Sequence, residues 1–175
     1  FDDPRLEFHA ADALRFLEDT PSRFDVAIID VPDPLEGGPA HRLYTRDFYE
    51  LLRERLRPRG IMVAQAGPTG PAFYKQCLSA VANTIGTAFT HVTTYEAFVP
   101  SFGSTWGFVV GSLGPDPTSF TVEEVDLRIA DRVNQELRHY DGITHQGLFP
   151  LPKYIRDGLQ EEERVVTRND PLYAL

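Results

Sequence analysis

The sequence has little of what marks a secreted, membrane or nucleic-acid-binding protein. Its 175 residues include a single cysteine, Cys77, which rules out a disulfide within the chain. No apolar run reaches the ~18 residues that a membrane-spanning helix needs, so no membrane partner is expected. Acidic residues outnumber basic ones by 26 to 17, for a net charge of −9. Because an acidic surface repels phosphates, this balance argues against a nucleic-acid partner and suits a cationic small molecule.

Several short motifs are missing as well. Phe1 to Pro4 carry neither the basic start nor the apolar stretch of a secretory signal, so a cytoplasmic location is the default expectation. No Gly-x-Ser-x-Gly turn is present, which leaves a hydrolase triad without support. No histidine forms a metal-ligand spacing with a second histidine or a cysteine, so no metal site is expected. The histidines are His9, His41, His91, His139 and His145.

Apolar periodicity predicts an α/β fold in which strands alternate with helices and two strands then follow in succession. Strands are predicted at residues 6–11, 25–30, 61–65, 91–99 and 106–110. Helices are predicted at 12–19, 46–56, 72–81 and 122–137, followed by an irregular but packed tail. This alternation is typical of a doubly wound sheet.

Three local features sharpen the prediction. Residues 25–30 form a continuous apolar run closed by an acid, which predicts a central parallel strand buried on both faces. Thr45 is the expected N-cap of the helix at 46–56. Phe73, Cys77 and Val81 recur every four residues, so Cys77 is interpreted as a small apolar residue on a buried helix face, with a catalytic thiol as the alternative.

One missing element concerns cofactor binding. A complete nucleotide-binding unit of the doubly wound class carries a Gly-rich turn after its first strand. No Gly-x-Gly pattern occurs here, and Gly37 and Gly38 lie in a loop after a later strand. Either the cofactor site is incomplete, or the chain is part of something longer.

Asp30 and Asp33 are the first candidates for chemistry. Asp30 closes a buried strand, and Asp33 follows in a proline-rich turn. Ligands of open α/β sheets bind at the carboxyl ends of the strands. Two carboxylates there would hold a cationic amine, and one would take the proton that an amine must lose to attack. The alternative is a turn stabilised by Asx-type hydrogen bonds, and the spacing alone does not decide between them.

Other polar and aromatic residues also stand at strand ends. Gln65 ends the next strand and would either orient a substrate or satisfy loop backbone. Asp12 would either accept a hydrogen bond from an adenine amino group or N-cap the following helix. Phe102 clusters with Trp106 and Phe108, either as core or as an apolar wall for an aliphatic substrate.

Taken together, these segments resemble the polyamine aminopropyltransferases, which include the spermidine and thermospermine synthases. The family signature, an acid-closed strand followed by a second acid and proline, stands here at residues 30–34. It continues with a Gly-Pro loop at 38–39, Tyr44-Thr45, and a helix beginning near Phe48-Tyr49. Residues 36–39, 43–45, 65–68, 99–102 and 105–107 look like the thermospermine synthase branch. The resemblance covers nearly the whole chain.

The resemblance implies a Rossmann-like fold of the S-adenosylmethionine methyltransferase type, with decarboxylated S-adenosylmethionine as aminopropyl donor. It implies that Asp30 is the general base and that Asp33 and Gln65 hold the polyamine. Tyr44 and Phe102 would line the substrate pocket. Asp12, with the backbone of Ala13, would meet the adenine. No metal is implied.

The family pattern also implies what this chain does not contain. Residues 1–175 correspond to the C-terminal part of the catalytic domain, without the first two strands, the Gly-rich loop and the N-terminal β-hairpin domain. That domain is expected to form a homo-oligomer in the full-length form. Residues 1–11 are therefore expected to be displaced, poorly ordered or paired with another chain, and the chain alone is expected to be inactive.

The family resemblance leaves four functions open. The favoured one is aminopropyl transfer to spermidine, giving thermospermine, because Phe102 and the longer loop after Asp33 match that branch. Transfer to putrescine, giving spermidine, is the nearest variant. An S-adenosylmethionine-dependent methyltransferase on the same fold and a non-catalytic domain that binds polyamine are the others.

Overall fold

The fold is seen in a computed structural model, which describes residues 2–174. The strands found there are β1 (Phe24–Ile29), β2 (Leu56–Pro68), β3 (His91–Val99) and β4 (Ser104–Ser112). The α-helices are α1 (Ala13–Asp19), α2 (Arg46–Arg55), α3 (Leu78–Gly86), α4 (Val122–Arg132), α5 (Gly142–Leu148) and α6 (Lys153–Glu161). Two 3-10 helices lie at Pro39–Tyr44 and Pro117–Ser119.

The four strands form one sheet in the order β1-β2-β4-β3. β1 and β2 are parallel and are connected through α2, whereas β3 and β4 form an antiparallel hairpin and β4 pairs antiparallel with β2. The predicted α/β class is therefore confirmed, including the two strands in succession. The longest helix in residues 2–174 has 11 residues, and none there has the length and apolar character needed to span a bilayer.

The hydrophobic core lies between one face of the sheet and the helices. Met62 and Ala64 of β2 are completely buried in it, in one cluster with residues of α1, α2, α3 and α6. Glycines on β4 let α3 approach closely, because a Cβ at Gly107 would lie 2.6 Å from Leu78 Cδ1. The other face of the sheet stays available for a site.

Helix starts follow the capping residues of the sequence. Thr45 caps α2, and its Oγ1 accepts a hydrogen bond from the Phe48 N–H at 3.4 Å, as predicted. Asp12 caps α1 in the same way, accepting from the Arg15 N–H at 3.1 Å. Side-chain oxygens thus satisfy donors that the first helical turn leaves free.

Two strand predictions are wrong. Residues 6–11 form no strand and lie outside the sheet, with the Leu6 and Phe8 side chains 48% and 66% exposed. Alternation of apolar residues makes a strand only where a neighbouring backbone pairs with it. β1 is not buried on both faces, since Val26 and Ile28 are 59% and 73% exposed. In this sheet β1 is an edge strand, and the helices cover only one of its faces.

The third helix begins later than predicted. Turns lead into it because the Gly70 carbonyl accepts hydrogen bonds from the Phe73 and Tyr74 N–H groups. Phe73 is 48% exposed and lies outside the buried face, whereas Cys77 and Val81 are buried as expected. Burial raises the pKa of the Cys77 thiol to about 11, with a further contribution from Asp33. A thiol in this environment stays protonated and is a poor nucleophile.

The C-terminal part contains more regular structure than predicted. α4 ends at Arg132 instead of continuing to residue 137, and the tail predicted to be irregular forms α5 and α6. The packing was predicted correctly, because Leu151 and Ile155 are buried. Sequence analysis missed these two helices because both are short: α5 has seven residues and α6 has nine.

After α6 the polypeptide crosses the helical layer, where a series of hydrogen bonds holds it in place. Ser79 Oγ donates to Glu162 Oε2 at 2.6 Å, and the Val166 N–H donates to Thr84 Oγ1 at 2.9 Å. The Arg46 N–H then donates to the Val166 carbonyl at 2.8 Å. Near the end of the chain the Ala174 N–H donates to the Pro34 carbonyl at 2.8 Å. The tail thereby reaches the loop that follows β1.

We expect Glu162→Gln to destabilise the fold at neutral pH, because it removes the charged partner of Arg164. The loss should be about 1–2 kcal/mol and no more, since Arg164 is partly exposed and solvent screens its charge. Hydrogen bonds from Arg164, and then Ser79, lower the pKa of Glu162 from 4.5 to about 2. A lowered folded-state pKa gives stability that is present above pH 4.5 and is lost as the pH falls toward 2. Urea unfolding at several pH values measures the difference between variant and native protein.

Glu161→Gln is the matched control, because Glu161 is 67% exposed and its one ion pair within residues 2–174 is with Lys75 at the surface. It should change the free energy of unfolding by less than about 0.5 kcal/mol. A Glu162→Gln difference that stays constant from pH 7 to pH 3 would contradict the assignment.

Candidate functional site

Two carboxylates lie at the carboxyl end of β1. Asp30 directly follows the last residue of the strand and is exposed, and Asp33 is partly buried three residues later. Together with Gln65, near the carboxyl end of β2, they line one cavity of about 830 Å³. The sequence-predicted trio thus shares a single site, as the meeting of parallel strand ends at one sheet edge requires.

The Gln65 side chain is bonded at both ends of its amide. Its Oε1 accepts hydrogen bonds from Trp106 Nε1 at 2.7 Å and from the Gly67 N–H at 3.0 Å. Its Nε2 lies within hydrogen-bond distance of three acceptors, the Tyr44 hydroxyl at 2.6 Å, the Val31 carbonyl at 2.8 Å and Asp33 Oδ1 at 3.1 Å, which share its two hydrogens. The alternative of Gln65 satisfying loop backbone is therefore realised, and its contact with a substrate stays a prediction.

Tyr44 supports this amide from behind the cavity. Its buried hydroxyl accepts from Gln65 Nε2 at 2.6 Å and donates to the Pro32 carbonyl at 3.2 Å. Burial, and then the charge of Asp33, raise the pKa of Tyr44 well above its ordinary value. The hydroxyl therefore keeps its proton and holds the acid-bearing loop as a donor. Tyr44 belongs to the support of the site, and its place in the cavity wall stays a prediction.

Aromatic side chains form the opposite wall of the cavity. Tyr95 stacks on Phe108 with ring centroids 5.1 Å apart, and Phe102 contacts Trp106 with centroids 4.6 Å apart. Among the described residues that line the cavity, only Asp30 and Asp33 carry a charge. The site therefore joins an anionic rim to an apolar wall, which suits a ligand that has cationic amines on a methylene chain.

The two residues expected to meet adenine lie elsewhere. Asp12 lines a separate surface cavity of about 360 Å³, together with His9 and Phe16. Asp12 caps α1 through Oδ1, and no hydrogen bond reaches its Oδ2 from within residues 2–174. Ala13 is the exposed first residue of α1. The structure does not bring these two residues into the cavity of Asp30 and Asp33.

Two features of the site escaped sequence analysis. Tyr95 was not a candidate, although it alternates with Val99 on one face of β3 and both line the cavity. Trp106 was noted as part of an aromatic cluster and of the family resemblance, but its hydrogen bond to Gln65 was missed. Period-two alternation with Phe108 places Trp106 on the cavity face of β4, but no local signal identifies the partner of the indole N–H.

Comparison with known proteins places this chain in a family. The profile of the Spermine/spermidine synthase domain matches residues 1–120. The chain belongs to this family. A polyamine aminopropyltransferase 2 of Hyperthermus butylicus is 39% identical over 174 residues, and a polyamine aminopropyltransferase of Sulfurisphaera tokodaii is 38% identical over 172. The family expectation is thus confirmed.

Solved structures of family members agree with the fold. A spermidine synthase from Thermotoga maritima is 25% identical, with a TM-score of 0.72 over 92% of this chain and 52% of that chain. A spermidine synthase in complex with the transition-state analogue AdoDATO is 24% identical, with a TM-score of 0.71, and shows the shared fold. The chain spans about half the length of the curated relatives it matches, at 56% of each.

Tyr44→Phe should destabilise the fold by about 1–2 kcal/mol, because it removes the buried hydroxyl that joins Gln65 to the Pro32 carbonyl. Tyr49→Phe is the matched control. The Tyr49 hydroxyl is also buried, but it has no hydrogen-bond partner within residues 2–174. Its removal should be neutral or stabilising. Urea unfolding of both variants tests the pair, and equal losses would show that the Tyr44 hydrogen bonds contribute nothing specific.

Proposed function

We propose that the protein that contains this chain transfers an aminopropyl group from decarboxylated S-adenosylmethionine to an amine of a polyamine. The observation that carries the proposal is the shared cavity of Asp30, Asp33 and Gln65 at the carboxyl end of β1, facing an aromatic wall. Membership in the spermine/spermidine synthase family supports it.

Asp30 acts in this proposal as the general base. An amine is protonated at neutral pH and attacks only after losing that proton, which the Asp30 carboxylate accepts. The bound donor supplies a carbon next to a sulfonium; its bond to sulfur breaks as the C–N bond forms, and the electron pair leaves with neutral methylthioadenosine. Since the leaving sulfur is neutral, no residue of this chain is required as a general acid.

Asp33 acts by holding a cation. Its carboxylate is partly buried, so its attraction to an ammonium group is stronger than at an open aqueous surface. The rings of Phe102, Phe108 and Tyr95 would lie along the methylene segments, whose removal from water favours binding. Gln65 fixes the Asp33 carboxylate from the protein side.

The adenine contact stays part of the proposal. Asp12 fits that role in one respect, because its helix-capping bond uses Oδ1 and leaves Oδ2 to accept from an amino group. The ring of His9 lies 5.1 Å from that of Phe16 beside it, which gives the neighbouring cavity aromatic surface. Ala13 would contribute its backbone.

Spermidine is the acceptor we propose, with thermospermine as product. Phe102 is 59% exposed and presents an apolar face to the cavity where many spermidine synthases have tyrosine. An apolar residue there suits a longer methylene chain. Putrescine as acceptor is the variant that the same site would serve.

Replacing Asp30 with asparagine should lower kcat by about two to four orders of magnitude, because proton removal from the amine is lost. Donor affinity should change less than about twofold, since the carboxylate is not required to bind the nucleoside. Asp33→Asn should instead raise the KM of the amine by about tenfold, the cost of losing one charged contact. Steady-state kinetics of the intact protein with both substrates measures these values.

Asp25→Asn is the control for the loss of one negative charge on the same strand. Asp25 lies at the opposite end of β1 and pairs with Arg57 at 2.9 Å on the exposed surface. This variant should keep the native kcat. Undiminished turnover in Asp30→Asn would remove Asp30 from its role.

The acceptor proposal predicts that kcat/KM for spermidine exceeds that for putrescine by about tenfold. Extra methylene groups that fit an apolar pocket typically raise kcat/KM by about this factor. Phe102→Tyr should narrow the ratio, because its hydroxyl adds a polar group to the apolar wall. Chromatography of the products after competition between the two amines measures the ratio. A preference for putrescine would overturn the choice of spermidine while leaving aminopropyl transfer intact.

A further inference from the structure

The contacts of Gln65 fix which way its amide faces. The two groups that meet Oε1, the Trp106 indole N–H and the Gly67 N–H, are donors only. Two of the groups that meet Nε2, the Val31 carbonyl and the Asp33 carboxylate, are acceptors only. A flipped amide would set oxygen against oxygen and N–H against N–H at all four contacts. The observed orientation is therefore strongly preferred.

We propose that Trp106 is a positioning residue that sets the orientation of the Asp33 carboxylate through Gln65. This inference rests on the proposed function, in which Asp33 holds the amine. The indole N–H anchors the amide oxygen, which keeps the amide nitrogen on the side of its acceptors, with Asp33 Oδ1 3.1 Å away beside the closer Tyr44 hydroxyl and Val31 carbonyl. Trp106 thus acts on the anionic rim from across the cavity.

The backbone beside Gln65 is irregular and adds a second donor to the amide oxygen that Trp106 contacts. Pairing between β2 and β4 shifts register between Gln65 and Pro68, and Pro68 lies opposite Trp106. Gly67 lies in this irregular stretch with φ +83°, a conformation that favours glycine. Such bulges redirect side chains next to active sites. Here the bulge turns the Gly67 N–H onto Gln65 Oε1 beside the indole.

Neither of the other two aromatic residues with a six-membered ring can make the same contact at this position. Phenylalanine has a ring of similar character but no N–H, and the tyrosine hydroxyl extends from the far end of its ring. The indole is held in place by Phe102, whose ring centroid lies 4.6 Å from that of Trp106. When the N–H is lost, Oε1 keeps only the Gly67 donor, and the amide gains freedom to rotate away from Asp33.

The chain contains one tryptophan, which makes the test clean. Trp106→Phe removes the N–H and keeps an aromatic ring. Replacing the indole with benzothiophene, in which sulfur takes the place of the N–H group, keeps the size and shape and serves where the phenylalanine variant does not fold. We expect either change to lower kcat/KM for the amine about tenfold, as misplacement of a substrate-binding group does. The KM of the donor should change less than about twofold.

A double-mutant cycle separates positioning from packing. If Trp106 acts through Gln65, Trp106→Phe should have no further effect on kcat/KM in a Gln65→Met background. Tyr154→Phe is the control, because it removes one hydroxyl donor to the Thr69 carbonyl, 2.9 Å away and outside the cavity. That variant should keep native kinetics. Full additivity of the Trp106 and Gln65 effects, or an equal loss of activity in Tyr154→Phe, overturns the proposal.

A measurement without turnover distinguishes failure of this inference from failure of the proposed function. Hydrogen exchange of the Gln65 side-chain amide, followed by nuclear magnetic resonance, should be slow in the native protein and at least about tenfold faster in Trp106→Phe. Unchanged exchange overturns the positioning role even in an active enzyme. A native protein that transfers no aminopropyl group overturns the proposed function instead, and faster exchange in the variant would still support the link between Trp106 and Gln65.

Discussion

The site depends on one side-chain amide that joins parts of the chain that are distant in sequence. Gln65 lies near the carboxyl end of β2, yet its hydrogen bonds reach the loop after β1, the 3-10 helix that ends at Tyr44, and Trp106 on β4. The side chain is only 8% exposed, so these bonds form where water competes little and where an unpaired polar atom would be costly. Loss of any one partner would therefore leave a poorly solvated polar atom of the amide unpaired.

Electrostatics and burial act together around this amide. Burial and the charge of Asp33 raise the pKa values of both Tyr44 and Cys77, so the Tyr44 hydroxyl and the Cys77 thiol keep their protons. Asp33 is stabilised by a donated N–H and faces an apolar wall that offers no cation of its own. A carboxylate in that position attracts an ammonium group more strongly than it would in open water.

The sequence predicted the parts of the site that local patterns encode. Apolar runs located β2, β3 and β4, Thr45 located the start of α2, and the acid that closes a strand located Asp30. Predictions failed where long-range packing decides the outcome. Val26 and Ile28 belong to an apolar run that resembles a doubly buried strand, but burial depends on which elements cover each face. For the same reason, the sequence placed Trp106 in an aromatic cluster but did not identify it as the hydrogen-bond donor to Gln65.

The C-terminal tail shows how far such dependence extends. Its N–H at Ala174 donates to the Pro34 carbonyl, directly after Asp33, although 140 positions separate the two residues. Further back, Val166 bonds both to Thr84 of α3 and to Arg46 at the start of α2. The acid-bearing loop is therefore held by Gln65 at Val31 and Asp33 and by Ala174 at Pro34. Local spacing can identify the carboxylates of this rim, but their fixed positions come from contacts that only the folded chain creates.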